Sequence, residues 1–572
     1  MTHKDSEDPV FQKKGKTRKI FSSTLESRLL FLALPVVFLM IVLLIHFSYG
    51  PFFMHHIDPE YFHLYSGICL SRLSLSVEYI AHPGTTLQIL FAISARIVDL
   101  LQPTSDLITN LISNPEQYIH GTNILLNIIN AFVLFFLGFY TYRCSGNYGY
   151  AFLLQLIPFS SHYLLTVSAR LIAESVELVP VILMIMLTVK YIYDSSRDKN
   201  MNFYSIAFAV ISGLGIAGKI SFFPFVLLPL VLISEKKYRI RFLLYTALAV
   251  AVFAFPLVVH LHKSREWFGN MFTHSGKWGG GSKSFINLSQ APDRIKSLYL
   301  YVDKQFFVIS GLATLQYLIF LIIPSLRKNS SGRVILRVFT GLILSVLLYV
   351  FLVLKHFAFY YLFPALAVKV FFLYLMTELL VRVIRDKRMK RWLPALTLIV
   401  ALVLVVPQVR TLKKRMSDIA VAERNSEEKY YTLKTYFSPD TTVIISSAYY
   451  GSPFISWAHV NAFNITGKLR NAFTPALKKK FPSTYFYFPW TDKFFFWGDY
   501  LKSQQLVDGK KTIYVYIGEG KEGDMDAIMK RLKEEMPETE FQKVLLHKFE
   551  NPAEYFYRIK LSVKNGGFPT DQ

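Results

Sequence analysis

Apolar runs of membrane-spanning length recur through the first two thirds of this chain and constrain its fold more than any other feature. A run of about 20 apolar residues is long enough to cross a bilayer as a helix. The runs predict an α-helical polytopic membrane protein rather than a soluble one. Eleven spans are predicted, at about 29–46, 121–140, 149–167, 175–193, 203–218, 220–233, 242–261, 306–324, 334–354, 357–381 and 392–406.

The distribution of charge predicts the topology. The net charge of +24 comes with basic residues clustered in short tracts between apolar runs, which favours membrane orientation and lipid headgroups over nucleic acid. If spans alternate from a cytoplasmic basic tail, the tracts 197–199, 235–239, 327–328 and 382–391 all lie inside. The two short runs on either side of Lys219 leave an alternative, because a single bent passage there would invert everything after it. The expected location is the plasma (inner) membrane.

Three parts of the chain are expected: the cytoplasmic tail 1–28, a transmembrane domain 29–407 with a long first outer loop 47–120, and an extracytoplasmic domain 408–572. The last part changes character, and its β-branched runs and amphipathic segment predict a small α/β domain. An aromatic-rich stretch at 481–500 is consistent with a domain core or interfacial belt, or with a surface that docks sugar. Strands are predicted at 441–447, 511–517 and 543–561, and a helix at 524–535.

The first outer loop carries polar groups that a simple turn does not need. Asp58 and Glu60 follow the first span, and His82-Pro83-Gly84 precedes a stretch, 86–101, that is predicted to lie along the membrane surface. Simpler interpretations remain open: Asp58 before Pro59 is typical of a helix cap, and His-Pro-Gly is typical of a turn.

Three further sets of charged residues fall at predicted outer ends of spans. They supply acids and cations at one depth, which favours an amphiphilic substrate with a charged head, such as a lipid-linked phosphate. Each set also has a structural interpretation, as an intrahelical ion pair, a lysine reaching the interface, or an aromatic anchor. The sets are Arg170 with Glu174 and Glu177, Lys219 alone, and Lys355-His356 with Tyr360 and Tyr361.

Glycosyl transfer from a lipid phosphate makes the best use of these groups. A carboxylate must take the proton from an acceptor hydroxyl as it attacks the anomeric carbon, and we assign this role to Asp58. Cations such as Lys219, Arg170 and Lys355 are expected to neutralise the departing phosphate, with His82 and His356 donating hydrogen bonds to it. The sequence has no multi-cysteine metal spacing, so no metal ligands are assigned and a requirement for a divalent metal is left open.

Together these motifs resemble the GT-C glycosyltransferases, and most closely the protein O-mannosyltransferase and aminoarabinose (lipid A) transferase group. The resemblance covers about 29–407 and implies inverting transfer from a polyprenyl-phosphate-linked sugar on the extracytoplasmic face. It implies Asp58 and Glu174 as catalytic residues, while the acceptor remains open as a lipid, glycan or protein. Substrate-binding residues are expected to be Glu60, His82, Arg170, Lys219, Lys355, His356 and Tyr361.

Two other classes of membrane protein remain as alternatives. A lipid-linked sugar transporter (flippase) would use similar charges, but it would more often show two related halves, and no repeat is visible. An oligosaccharide polymerase or ligase also handles polyprenyl-linked sugars. Such an enzyme is expected to carry its main loop late in the chain, whereas here the richest loop is the first.

Overall fold

The computed structural model describes most of the chain. The described ranges are 29–75, 77–79, 84–102, 106–275, 282–283, 285–323, 330–355, 357–438, 441–448, 451–507, 512–550 and 552–563.

Among the described residues, the regular structure up to the last apolar run is helical. The α-helices here are Ala33–Phe47, Phe52–His55, Glu60–Ser71, Thr85–Leu101, Leu107–Ser113, Pro115–Ser145, Tyr148–Gln155, His162–Ser168, Leu178–Tyr193, Met201–Gly218, Leu227–Leu232, Lys236–Phe253, Phe255–Val259, Leu261–Thr273, Ala291–Ser297, Lys304–Ile322, Ser330–Lys355, Phe363–Val383 and Lys387–Lys434. Short 3-10 turns extend several of them, including Ala173–Glu177, Ile220–Val226 and Phe359–Leu362.

Within the described residues, 8 helices are long and apolar enough to cross a membrane. With the sheet domain that follows them, they confirm the predicted class, a polytopic helical membrane protein with a C-terminal α/β domain. They are Leu30–Phe47, Pro115–Ser145, Ala173–Tyr193, Met201–Gly218, Lys304–Ile322, Gly332–Lys355, Phe359–Val383 and Lys387–Lys434.

The other three predicted spans are not single long helices. The run at 149–167 breaks into Tyr148–Gln155, a 3-10 turn containing Pro158, and His162–Ser168, and nearly all of it is buried. The run at 220–233 opens with a 3-10 segment containing Pro224. The third run, 242–261, is interrupted between Phe253 and Phe255. Proline removes a backbone donor and distorts helices, a feature that hydropathy alone does not register.

Buried amides hold the chain where His162–Ser168 ends. Asn123 and Asn127 both donate to the carbonyl oxygen of Ser168, at 3.3 and 3.0 Å, and all three residues are fully buried. A ring nitrogen of His46, Nδ1, lies 2.8 Å from the carbonyl oxygen of Ala169. Backbone groups buried in a protein within a membrane require such partners. These contacts fix the residue that follows, Arg170.

The last helix does not end at the membrane. It runs for 48 residues, from Lys387 to Lys434, and leads into a 7-stranded sheet. The strands are β1 Thr442–Ser447, β2 Thr484–Phe488, β3 Lys493–Phe496, β4 Asp499–Leu501, β5 Thr512–Ile517, β6 Thr539–Glu550 and β7 Ala553–Val563, in the order β4-β3-β2-β1-β5-β7-β6. Only β1 pairs in parallel, with β2 and β5, and the other pairs are antiparallel.

The predicted elements of this domain are confirmed. The three predicted strand regions coincide with β1, β5 and the β6–β7 pair, and the predicted helix is Asp524–Glu535. Further helices are Ile455–Phe463, Arg470–Lys480 and Ser503–Val507. Most of the aromatic-rich stretch 481–500 lies in the sheet with its rings buried, as expected of a domain core, while Trp490 and Tyr500 are exposed.

The sheet domain packs directly on the first loop. The Tyr65 hydroxyl lies 2.6 Å from Nδ1 of His459, and both side chains are fully buried. At the same contact a Cβ on Gly451 would lie 2.0 Å from the Met54 carbonyl oxygen, so this position requires glycine. The sheet domain therefore helps to fix the loop that carries Asp58.

Candidate active site

A half-buried carboxylate anchors the start of the first loop. Glu116, in the first turn of Pro115–Ser145, accepts hydrogen bonds from the backbone N–H groups of Phe52 and Phe53, at 3.0 and 3.2 Å. It also accepts one from the Tyr61 hydroxyl at 2.8 Å. These bonds hold the loop on both sides of Asp58. No local pattern in the sequence marks Glu116, because its role depends on contacts about sixty residues apart.

Arg170 pairs with the first loop rather than with its own segment. Its Nε donates to Oε1 of Glu60 at 2.7 Å and its Nη2 donates to Oε2 at 3.0 Å. This two-bond arrangement is the strong, directional form of an arginine–carboxylate pair. The intrahelical pair between Arg170 and Glu174 that the sequence left open is therefore wrong. Its physical reason is local: the helix ends at Ser168, and Glu174 lies in a separate 3-10 turn.

Glu174 pairs instead with Lys219. The amine of Lys219 donates to Oε1 of Glu174, and both side chains are nearly inaccessible, at 5% and 2% exposure. The same amine lies 4.4 Å from the ring centre of Tyr361 and 5.4 Å from that of Tyr360. Lys219 itself is an extended residue between Met201–Gly218 and the 3-10 turn Ile220–Val226, and this break between helices turns its side chain inward.

Asp58 differs from Glu60, Glu174 and Glu177 in its exposure to solvent, since those three carboxylates are buried. It is exposed, and one oxygen, Oδ1, accepts a hydrogen bond of 3.1 Å from the Tyr79 hydroxyl. Tyr79 is itself held by Gln88, whose Nε2 donates to the Tyr79 carbonyl at 2.9 Å. Desolvation by the surrounding protein raises the pKa of Asp58, and the Tyr79 hydrogen bond and the Arg170 charge only partly oppose this. A raised pKa makes a carboxylate a stronger base.

Electrostatic contacts join these groups into one cluster. The phenol of Tyr79 lies close enough to the carboxylates of Asp58, Glu60 and Glu174 to interact with their charges. The phenol of Tyr360 lies within range of Glu174, Asp58 and Arg170. The acid and cation sets that the sequence predicted from separate loops therefore meet in space.

An apolar cavity of about 380 Å³ adjoins this cluster. Its walls are mostly aliphatic and aromatic, and its charged residues are Lys219 and Lys355. A concave apolar pocket with a few polar groups is the usual form of a small-molecule site. Other lining residues include Ser221, Phe223, Leu348, Tyr349, Leu352 and Tyr361.

Lys355 has a different environment from Lys219. Its amine donates to the carbonyl oxygens of Phe272, His274 and Phe285, at 3.4, 3.1 and 2.7 Å. It also lies 3.9 Å from the centre of the Phe285 ring. These bonds use all three donors of the ammonium group, so Lys355 ties Phe272, His274 and Phe285 to the end of Ser330–Lys355.

Two of the predicted site residues, His82 and His356, lie outside the described residues, so their predicted roles stay predictions.

The folded loop brings two further residues to the site, Tyr79 and His63, which the sequence did not select. His63 is fully buried, its ring packs 5.1 Å from that of Tyr79, and burial lowers its pKa to about 3. A lone tyrosine and a lone histidine in a loop give no periodic signal, so only the folded loop reveals them.

The described part of the chain contains no disulfide bond and no cluster of metal-ligating side chains. No three His, Cys, Asp or Glu side chains there gather closely enough to hold a metal ion. Cys69 and Cys144 are both free thiols.

Comparisons with known proteins return a distant structural likeness. No family model matches the chain, and no curated protein matches it. The crystal structure of ArnT from Cupriavidus metallidurans bound to undecaprenyl phosphate is 10% identical with a TM-score of 0.44. The apo structure of the same protein is 11% identical with a TM-score of 0.46, and both comparisons cover 91% of this chain and 97% of the other. At this identity and TM-score the likeness carries no argument about function.

Proposed function

We propose that this protein is a membrane glycosyltransferase that moves a sugar from a polyprenyl-phosphate-linked donor to a hydroxyl of a lipid, glycan or protein acceptor. The observation that carries the proposal is the arrangement of opposite chemical groups at one place. An apolar cavity contains the nearly buried amine of Lys219, and the cluster around that amine includes an exposed carboxylate, Asp58. A lipid phosphate needs an apolar cavity for its chain and a cation for its phosphate, and an acceptor hydroxyl needs a carboxylate that takes its proton.

Asp58 is the best candidate for the general base because the neighbouring carboxylates are occupied. Both oxygens of Glu60 accept from Arg170, and Glu174 accepts from Lys219. Asp58 uses one oxygen for Tyr79 and remains exposed. In the proposed reaction Asp58 contacts the acceptor hydroxyl, and Glu174 supports catalysis by holding Lys219 in place.

The proposed step balances as a simple displacement. Asp58 takes the proton of the acceptor hydroxyl, whose oxygen forms a bond to the anomeric carbon while the bond from that carbon to the phosphate oxygen breaks. The leaving group is the polyprenyl phosphate, whose developing charge Lys219 would stabilise. Among the described residues, the hydrogen-bond partner of the Lys219 amine is Glu174, which leaves two N–H donors for a ligand.

The test is a transfer assay with the purified protein, radiolabelled polyprenyl-phosphate sugars and a membrane extract as the source of acceptor. Wild type should move label to an acceptor, and Asp58→Asn should reduce the rate by about 10²- to 10⁴-fold, the usual contribution of a general base. Asp99→Asn is the matched control, since Asp99 lies in the same loop and pairs with Arg96. Equal rates for Asp58→Asn and wild type would contradict the assignment.

The same assay distinguishes the two alternatives. An oligosaccharide polymerase or ligase would move a glycan chain rather than one sugar, and the product length separates the two enzymes. A flippase would move labelled donor across a vesicle bilayer without transferring the sugar. The exposed Asp58 and the raised pKa of its carboxyl favour the transferase.

The proposal includes an orientation, with Asp58 and the sheet domain outside the cytoplasm. Cys69 is fully buried, so a new cysteine at Leu73, which is 91% exposed, is the better probe of the first loop. In a background without Cys69 and Cys144, Leu73→Cys should react with an impermeant maleimide on intact cells. Ser195→Cys lies between the predicted spans 175–193 and 203–218, on the side predicted to be inside, and should react only after lysis. The reverse pattern would overturn the orientation.

A further inference from the structure

Glu177 is a buried carboxyl beside Lys219 that the proposed reaction does not use. It lies in the same 3-10 turn as Glu174 and has no exposed surface. The Ser221 hydroxyl donates to its Oε1 at 3.0 Å, and its Oε2 has no partner among the described residues. A buried ionised carboxylate without a cation of its own is costly, since burial removes its hydration.

The charged and titratable groups that face Glu177 come from three directions. Glu174 is on its own turn, and Lys219 lies at the break between Met201–Gly218 and Ile220–Val226. Tyr349, on Ser330–Lys355, is the third. The buried Tyr349 hydroxyl also has no partner in the described part of the chain, and both Tyr349 and Ser221 line the apolar cavity. Glu177 therefore lies directly behind the cavity wall next to the proposed phosphate site.

The charges of the cluster do not balance. The described residues contribute four acids, Asp58, Glu60, Glu174 and Glu177, against two cations, Arg170 and Lys219. If all six were ionised, the cluster would carry two excess negative charges before any ligand arrived. Arg170 is occupied by Glu60, so Lys219 alone must serve Glu174, Glu177 and an incoming phosphate.

We infer that Glu177 takes up a proton when a phosphodiester anion binds at Lys219. Before the anion binds, the charge of Lys219 favours the ionised form of Glu177 and so opposes the effect of burial. The anion engages the two free donors of the lysine, and three anionic groups then compete for one positive charge. Glu177 is the group with the weakest compensation, because Glu174 accepts a bond from the lysine whereas Glu177 accepts only from a serine hydroxyl. Glu177 is thus a positioning residue that sets the charge of the phosphate site through Lys219.

This inference rests on the proposed function, since it needs a lipid phosphate in the cavity. The probe is farnesyl methyl phosphate, a phosphodiester whose single charge does not change near neutral pH. Binding to the full-length protein in detergent is measured by titration calorimetry in buffers of different ionisation enthalpy, which counts protons taken up. Wild type should take up about one proton, and over the pH range in which it does so its affinity should fall by up to about tenfold per unit rise in pH.

Substitutions separate this role from a structural one. Glu177→Gln keeps the shape and hydrogen bonding but cannot ionise, so it should bind the probe with no proton uptake and a flat pH profile. Glu177→Asp should keep the uptake. Glu378→Gln is the matched control, because Glu378 is buried but pairs with Arg382 on its own helix, and it should also keep the uptake.

Each outcome decides between the two proposals. If wild type fails to bind the phosphodiester, the proposed function fails and this inference fails with it. Binding without proton uptake, or uptake that persists in Glu177→Gln, overturns the inference and leaves the proposed function standing. The wild-type proton count alone settles the question should Glu177→Gln fold poorly.

Discussion

Lys219–Glu174 and Lys369–Asp303 are both lysine–carboxylate pairs with almost no exposed surface, yet their surroundings differ. The amine of Lys369 donates to Asp303 Oδ2 at 2.7 Å, to Gln305 Oε1 at 3.3 Å and to the Ser160 carbonyl. Every donor of that ammonium group is used, within a packed interior. The amine of Lys219 has one hydrogen-bond partner in the described part of the chain, faces two tyrosine rings and borders a cavity.

A buried charge therefore does not by itself mark a functional site. Both pairs satisfy the expectation that ionisable residues within membrane-spanning regions are paired. What separates them is unused hydrogen-bonding capacity beside an opening. The Lys369 network continues through Gln305 to Gln408 and His162, and so ties the long last helix to the interior. We interpret the Lys369 pair as structural and the Lys219 pair as a binding group.

The largest expected effect is on stability, at the Lys369–Asp303 pair. Asp303→Asn should lower the free energy of unfolding by about 3–5 kcal/mol, because it leaves Lys369 charged and unpaired in a dry interior. Unfolding by SDS in mixed micelles measures this, and Lys369→Met combined with Asp303→Leu should restore much of the loss. The rate of transfer per folded molecule should not change. A selective loss of activity in well-folded Asp303→Asn would remove the distinction between the pairs.

The next effect concerns binding of the sugar donor at the Lys219–Glu174 pair. Lys219→Gln should weaken binding of a polyprenyl phosphodiester by about ten- to a hundredfold, the value of a hydrogen bond to a charged group of about 1.5–3 kcal/mol. Its cost to stability should be smaller than that of Asp303→Asn, because the glutamine amide can still donate a hydrogen bond to Glu174. Lys190→Gln serves as the control, since Lys190 lies over Phe203 at the far end of Leu178–Tyr193. Equal affinities for Lys219→Gln and this control would contradict the binding role.

An intermediate case is Arg170, whose side chain is 24% exposed while its partner Glu60 is fully buried. Arg170→Lys keeps the charge but replaces two parallel hydrogen bonds with a point contact. We expect a loss of about 1 kcal/mol in unfolding free energy, the value of one hydrogen bond, and a lower transfer rate. Calorimetric unfolding and the transfer assay measure the two effects separately, and a variant indistinguishable from wild type in both would show that the two-bond geometry is not required.

The smallest effect is on the pH dependence of transfer. The proposed base, Asp58, is active only when ionised, so the rate should fall as the pH falls through its pKa, which desolvation by the surrounding protein has raised. Tyr79→Phe removes a hydrogen bond that stabilises the carboxylate, so the fall should begin at a higher pH. The rate at a fixed mildly acid pH should drop by about tenfold or less. An unchanged profile would mean that Asp58 is not the group that titrates.

The amino-acid sequence determined the class of the protein and much of its secondary structure. Apolar runs of bilayer length and β-branched runs are local signals, and they located most of the spans and the strands β1 and β5 without knowledge of contacts. The sequence also selected Asp58, Glu174 and Lys219, because charged residues are costly at the ends of apolar runs whatever the fold.

Only the tertiary structure decided which charges pair. Arg170 finds Glu60 across 110 residues and Glu174 finds Lys219 across 45, while the local partner expected from helical spacing is not used. The contribution of Tyr79 and the unpaired state of Glu177 likewise depend on how distant segments pack. Ion pairing and burial are properties of three-dimensional neighbours, and no local pattern in the chain encodes them.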